Sequence, residues 1–438
     1  MTALPFESRL QQADYLKEKT YAQTHQPLRE AMSLLADAYR QSAFYDLEQV
    51  QVFATSWVAV GYVEQIANPG QVLVAEVAGQ SVMITRDRNH QLQAFYNVCR
   101  HRGSQLVKSA CQLNRFQCPY HGWQYSLRGD CTAFPMFERK QPAQEESSKQ
   151  QNRNLLSVQV DTWGCLVFIN LDAQAMPLRG WLGDLPQKLA GYRLQDWTLA
   201  HQRDYSIQAN WKLIAENFME YYHLPWVHPE LVQVSRIEDH YRDQGTGMYT
   251  GMRTTPIAAN TAAGGWQGLP TMQGLSSLES LSGRFICLFP NVCLSILPNH
   301  AFVMLLKPSG VDLTLESTAL LLPPADSTVQ EQTHLEPSCL EATETPALEA
   351  LVEFWDLVNR QDIEIVETVQ KGLKNGAYQG GYLSETFEEP LHRFQNMVID
   401  RMIGRHDWVP AGDRTPTSLL PHSPTHAASH HSHAAIHQ

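Results

Sequence analysis

Two cysteines and two histidines sit in a pair of short, glycine-flanked loops: Cys99 and His101, then, after sixteen residues, Cys118 and His121, within the run CRHRGSQLVKSACQLNRFQCPYHGW. Each loop offers one thiolate and one imidazole, as Cys-x-His and Cys-x-x-His. A 2Fe-2S cluster with both cysteines on one iron and both histidines on the other uses this donor set, and its neutral imidazoles raise the potential above that of an all-thiolate cluster. The competing reading is a tetrahedral zinc site, which also accepts two Cys and two His. Zinc fingers pair like with like, whereas here each loop mixes the types, between HRG and HGW. The mixture favours an electron-transfer cluster, and it constrains the chain strongly, because the two loops must meet at one centre.

Respiratory proteins with such a cluster resemble a different pattern, in which an additional Cys in each loop forms a disulfide over the metals. The corresponding places here, Arg102 to Gln105 and Tyr120, hold no Cys, which points to the lower-potential Rieske type of oxygenases and ferredoxins. At 438 residues the chain exceeds the roughly one hundred or so that such a module needs, so a further large domain with a second function is expected. A net charge of −12 argues against a nucleic-acid partner. Against it stands a locally basic rim, Arg100, Arg102, Lys108 and Arg115, suited either to an acidic redox partner or simply to solvent.

Eight cysteines without framework spacing fit a reducing compartment. Cys111, Cys131, Cys165, Cys287, Cys293 and Cys339 are expected as buried thiols. The N-terminal run lacks a signal-peptide core, and no stretch approaches the twenty or so apolar residues of a membrane span, so a cytoplasmic location is expected. Helical spacing of Leu28, Met32, Leu35 and Tyr39 predicts a helix over 28–40, within an N-terminal extension 1–43. Alternation in VLVAEVA, SVMITRD and LQAFYNV predicts antiparallel strands leading into the first loop, and WGCLVFINL (163–171) a buried closing strand. The cluster domain is set at 44–170, with a polar surface loop at 140–153. A catalytic domain of mixed α and β texture spans 171–409, with the strand LTLESTALLL, a mobile loop over 255–284 and a surface excursion over 322–346. The tail 410–438, with six histidines, is expected to be disordered.

A second metal site is legible in NWKLIAENFMEYYHLPWVHPE (210–230). Glu220 and His223, three apart, are expected on one side of a helix that Pro225 ends, so that His228 can turn back to the same ion. Two imidazoles are two thirds of the facial triad that binds non-haem iron(II) and leaves positions open for oxygen. By themselves two such histidines are ordinary; a redox cluster upstream gives them a purpose. For the carboxylate, the helix EALVEFWDLVNRQDIEIVETVQK (349–371) presents the stripe Leu351, Trp355, Val358, Ile365, Val369, and Asp362 falls inside it. A buried carboxylate is costly unless it binds a cation or is satisfied by Arg or backbone donors. Glu216 is a reserve candidate beside the iron.

These residues carry a resemblance. The paired loops, NWK, ENFMEYYHLPWVHPEL and QDIEIVETVQKGL make most of 44–405 resemble the α subunits of Rieske non-haem iron oxygenases, the ring-hydroxylating dioxygenase family. Glu220, where ring dioxygenases usually have Asp, and VQKGL place it nearest the choline, carnitine and glycine-betaine monooxygenase branch. The resemblance implies an α+β fold, an antiparallel Rieske domain joined to a helix-grip catalytic domain, assembled as a trimer. It implies that Cys99, His101, Cys118 and His121 hold the 2Fe-2S cluster, that His223, His228 and Asp362 hold mononuclear iron, and that Glu220 bridges a cluster histidine to His223 across the subunit boundary. Such a protein is the terminal oxygenase of a system using O2 and NAD(P)H through a separate reductase, since the chain has no G-x-G-x-x-G fingerprint. A small quaternary ammonium substrate is expected, caged by aromatic faces such as Tyr221, Trp226, Trp266, Phe285 and Phe289. Two alternatives remain open: hydroxylation or O-demethylation of an aromatic compound, and an electron carrier whose large domain only binds a ligand.

Overall fold

The computed structural model describes residues 10–136, 153–232, 236–255, 269–324 and 346–406. The tail from 410, Cys339, Trp266, nearly all of the insert 140–153 and of the run 322–346, and the stretch 256–268 of the loop 255–284 lie outside them.

The alternating segments pair as expected. Gln71–Val77, Gln80–Arg86 and Leu92–Tyr96 form an antiparallel meander, and Cys111–Gln112 pairs with the free side of the first strand. The first hairpin turns on Ala78 and Gly79, with φ of 50° and 70°. A two-residue hairpin needs positive φ at both positions to match the strand twist, so glycine is suited here and Ala78 is strained. Phe116–Gln117, Gln124–Tyr125 and Cys131–Ala133 make a small sheet under the second loop. In a third sheet, Leu166–Asn170 is buried along its whole length between Val58–Tyr62 and Gln159–Trp163, as an apolar closing strand should be.

The second half is built on a seven-stranded antiparallel sheet in the order Thr198–Ile207, Leu313–Leu322, Ala301–Gly310, Val292–Ile296, Gly283–Leu288, Tyr249–Thr254, His240–Arg242. The 28-residue helix Pro346–Leu373 buries Leu351, Phe354, Trp355, Val358 and Val366. Val366 rather than Val369 continues the apolar face, and Val369 is exposed. Trp211–Met219 starts at Asn210, whose side chain accepts from the Lys212 N–H and so satisfies a donor the helix leaves over. The arrangement is α+β.

The helix expected over 28–40 is not one element. Only Asp37–Arg40 is helical, Gln41 is extended, and a helix resumes at Ser42–Gln51. Upstream, Met32 bridges to Tyr382 and the Ser33 N–H donates to the Gly381 carbonyl, so tertiary pairing overrides local periodicity. Cys111 is exposed and Cys165 half-buried, against expectation, while Cys131, Cys287 and Cys293 are buried.

The N-terminal helix is locked to the second half by a buried ion pair. Lys212 Nζ lies 2.6 Å from Glu48 Oε1, and both side chains are fully buried. The ammonium also stands 5.3 to 5.4 Å from the ring centres of Tyr39, Phe44 and Trp211. Burial pushes Glu48 up and Lys212 down, each opposed by its partner. The two lobes are stitched by Asn291, whose side chain accepts from Ala59 N–H and donates to the carbonyls of Ala59 and Leu306.

Candidate functional site

The two cluster loops are built to one plan. The Gly103 N–H donates to the Cys99 carbonyl and the Gly122 N–H to the Cys118 carbonyl, both at 3.0 Å. Cys99 N–H donates to Ser104 and Cys118 N–H to Trp123, both at 2.8 Å. Each loop thereby closes as a tight knuckle, and Gly103 and Gly122 take φ of 75° and 72°, a region that favours glycine. Nothing lies within 4 Å of a Cβ at Gly103, so conformation rather than space explains that residue. The knuckles bury both thiols and bring the His101 and His121 rings to 4.6 Å, with His101 stacked on Trp123 at 4.9 Å.

Tyr125 Oη lies 3.2 Å from Cys99 Sγ and accepts from the Arg100 N–H. Burial raises the Cys99 thiol despite that contact. Burial acts the same way on Cys118, but the backbone N–H groups of His121 and Tyr120 outweigh it and pull this thiol down, toward the thiolate a metal needs. Among the described residues, only His223, His228 and Asp362 bring three ligand atoms mutually within 4.8 Å. Two buried thiols and two facing imidazoles, one of each from either loop, are the donor set of a Rieske 2Fe-2S cluster, so the residues fit that group. His121 and Tyr120 are exposed, as are Arg100, Arg102, Lys108 and Arg115, of which Arg102 stands over the Tyr120 ring, while Arg115 lines a cleft with Asp87 and Arg128.

The second centre gathers His223, His228 and Asp362. Asp362 Oδ1 is 2.8 Å from His228 Nε2 and 3.6 Å from His223 Nε2. Each ring's other nitrogen is held: His223 Nδ1 lies 2.5 Å from Glu220 Oε1, and His228 Nδ1 lies 2.7 Å from Gln361 Oε1. A carboxylate and an amide oxygen at Nδ1 assign the proton there and leave both Nε2 lone pairs aimed at the common point. Burial alone would lower His228, but Asp362 and Gln361 outweigh it and raise it. Two Nε2 atoms and one carboxylate oxygen are the donor set of a non-haem iron(II) facial triad, so the residues fit that ion.

The local backbone differs from the expected helix. Trp211–Met219 ends before Glu220, which is extended at φ −112°, ψ 152°. Glu220 Oε2 accepts from the N–H groups of Tyr222 and His223, so a carboxylate-closed turn brings Glu220 and His223 together. Pro225 is the second residue of the short helix Leu224–Val227 instead of the end of a helix, in the first turn where its missing N–H is not needed.

Above the triad is a cavity of about 100 Å³ walled by Phe218, Phe285, Phe302, Phe354 and Trp355. Trp355 is fixed twice, stacked on Phe302 at 4.6 Å and donating its indole N–H to His300 Nε2 at 2.9 Å. Burial drops His300 to about 3, so it is a neutral acceptor. Of the aromatic candidates, Phe285 lines this cavity. Phe289 packs against Trp181 and Phe394 in the core, Trp226 is exposed, and Tyr221 stacks on His240, which itself reaches the cavity wall. Glu216 does not approach the triad: it accepts from Tyr39 and Gln395, and burial pushes it up to about 7. Gln361 and Asn217 escaped the sequence reading. Adjacency to Asp362 was the available signal for Gln361, and none marks Asn217.

Comparison with known proteins agrees with this geometry. The Rieske 2Fe-2S domain family matches residues 56–151, and the ring hydroxylating alpha subunit (catalytic domain) family matches 194–404. The glycine betaine monooxygenase oxygenase subunit of Chromohalobacter salexigens is 27% identical over 412 residues, covering 86% of this chain and 87% of its own. The carnitine monooxygenase oxygenase subunit of Escherichia coli strain K12 is 27% identical over 364 residues, covering 80% and 87%. Among solved structures, the quaternary ammonium Rieske monooxygenase CntA, in complex with an inhibitor, superposes with a TM-score of 0.71 at 23% identity, over 87% of this chain and 98% of that one. Naphthalene 1,2-dioxygenase with indole bound superposes with a TM-score of 0.65 at 19% identity, over 85% and 92%. These structural likenesses concern the fold.

Proposed function

Because the chain belongs to the Rieske-type ring-hydroxylating oxygenase α subunits, we propose that it is the terminal oxygenase of a reductase-dependent system acting on a small quaternary ammonium compound. The observation that carries the reading is the convergence of His223, His228 and Asp362 beneath an aromatic cavity, in a chain that also holds the paired Cys and His knuckles. We assign Cys99, His101, Cys118 and His121 to the cluster and the triad to the iron, within a division at 44–170 and 171–409. Iron(II) bound at the triad supplies dioxygen activation, and the cluster supplies electrons drawn from a separate NAD(P)H reductase.

The residues supply the rest. His223 and His228, pinned at Nδ1, present Nε2 without reorganisation, and the aromatic walls exclude water. A methylated ammonium is attracted by such walls, a favourable cation–ring contact being worth about 0.5–1 kcal/mol when exposed and about 2 kcal/mol or more when desolvated. The relatives named for glycine betaine and carnitine support that substrate class. Glu220, already bound to His223, is proposed to accept from a cluster histidine of a neighbouring subunit in a trimer; the exposed edge of His121 supports this arrangement. No described helix is long and apolar enough to cross a membrane.

The test is reconstitution with a compatible reductase, NADH and O2 against choline, glycine betaine, carnitine and aromatic acids, scored by substrate-dependent NADH use and product mass. Turnover of an ammonium compound is expected, with formaldehyde released if a methyl group is attacked. Ring-hydroxylated products alone would replace this substrate class with an aromatic one.

A further inference from the structure

A second, smaller void of about 10 Å³ adjoins the triad. Asn217, Met304, Asn359 and Asp362 line both it and the aromatic cavity, while Glu316 and Val366 line the smaller space but not the aromatic cavity, Glu316 also bordering a larger cleft beside Tyr205 and Ser317. Glu316 lies on the inward side of the strand Leu313–Leu322, with Thr314 and Thr318, and is 1% exposed. Its Oε1 accepts from Asn359 Nδ2 at 2.7 Å. Its Oε2 is buried and has no hydrogen-bond partner among the described residues. A buried carboxyl oxygen left alone costs about 1–3 kcal/mol, and more if charged. A void on the order of 10–15 Å³ is what one water requires, provided it finds two or more polar partners.

We infer that this void is a site for one ordered water held between Glu316 and the metal-binding carboxylate of Asp362, which makes Glu316 a positioning residue for that carboxylate. The polar groups around the space, Glu316, Asn359, Asn217 and Asp362, supply the water's partners. The inference does not depend on the charge of Glu316. An ionised Oε2 needs a donor and a protonated one needs an acceptor, and water serves as either. Burial, against the pull of Asn359 and with the push of Asp362, raises this carboxyl to about 7, so both forms are accessible near neutrality. A hydrogen bond onto Asp362 fixes the carboxylate's rotation, so that the oxygen facing the ion need not be ordered on binding, the effect expected of a group behind a ligand.

The inference rests on the triad binding iron, and the experiment separates the two. Iron(II) affinity and the EPR signal of the ferrous nitrosyl adduct are measured in the holoprotein of the wild type, Glu316→Leu, Glu316→Gln and Val366→Ile. The first variant removes the water's partner, and the last fills the void without touching a polar group. Both should weaken iron(II) binding about 10- to 100-fold and change the nitrosyl signal, with the 2Fe-2S absorption unchanged. Glutamine, whose oxygen can keep accepting from Asn359 while its amide nitrogen donates to the water, should stay within about threefold of wild type. Wild-type affinity and signal in both Glu316→Leu and Val366→Ile would overturn the water site alone. A wild-type protein with no iron beyond its cluster would overturn the triad reading with it. If Glu316→Leu fails to fold, shown by loss of the cluster absorption, Val366→Ile decides.

Discussion

Replacing Glu220 by Gln separates ligand orientation from electron delivery. Three donors converge on its two oxygens: the His223 ring at 2.5 Å, the Tyr222 N–H at 2.5 Å and the His223 N–H at 3.2 Å. Glutamine keeps one acceptor oxygen, so its amide nitrogen must face either the ring N–H or the backbone pair. Leaving such a donor unsatisfied costs about 1–3 kcal/mol. If all of that reached the metal, iron affinity would fall roughly 5- to 150-fold. Excess iron overcomes a loss of that size, so Glu220→Gln purified with iron should retain both the cluster and the mononuclear ion. Turnover should nevertheless fall by about 10- to 100-fold, because the carboxylate is also the proposed link to a neighbouring cluster. The assay is metal content and cluster EPR beside steady-state oxidation with reductase and NADH. Full metal content with activity within about fivefold of wild type would refute the bridging role and leave Glu220 as an anchor for His223.

Asp362→Ala should lose the mononuclear iron while keeping the cluster's absorption, measured by metal analysis and visible spectra. Lys212→Met strands Glu48 in a fully buried site, and breaking such a pair costs about 3–5 kcal/mol, whereas Lys212→Met with Glu48→Leu should recover most of it; chemical denaturation reads both. His300, held at about 3 against its ordinary 6.5, cannot take up the proton that the unfolded chain binds. Its share of stability is therefore lost as pH falls through 6.5 toward 3, and His300→Leu should flatten the pH dependence of unfolding in that window.

The chemistry of this chain was more legible than its local geometry. Donor identity and spacing singled out Cys99, His101, Cys118 and His121 and the set His223, His228 and Asp362, whose side chains the structure brings together, and the strand read in LTLESTALLL is present as Leu313–Leu322. The helix placed over 28–40 and the one expected to carry Glu220 with His223 were misplaced for a shared reason. In both places a long-range or side-chain hydrogen bond, Ser33 to Gly381 and Glu220 to its own turn, satisfies backbone that a helix would otherwise have satisfied. Residues behind the ligands were the least visible. Gln361, His300 and Glu316 matter through atoms brought close by tertiary packing, and no periodicity marks such contacts in advance. Glu216 illustrates the converse: it lies four residues from Glu220, yet points into the Tyr39 and Gln395 network.

The central claim is that electrons from the cluster are used at the His223, His228 and Asp362 site, and only with substrate present. It is tested by single turnover of the wild-type protein, its cluster chemically reduced, mononuclear iron loaded and no reductase added. On mixing with O2, the cluster absorption should return rapidly when a turnover-competent ammonium compound is present, with hydroxylated or demethylated product approaching the amount of mononuclear iron. Without substrate, return should be slow. Equal reoxidation rates with and without substrate, and no product from any compound tested, would contradict the account and leave an electron carrier with a ligand-binding domain.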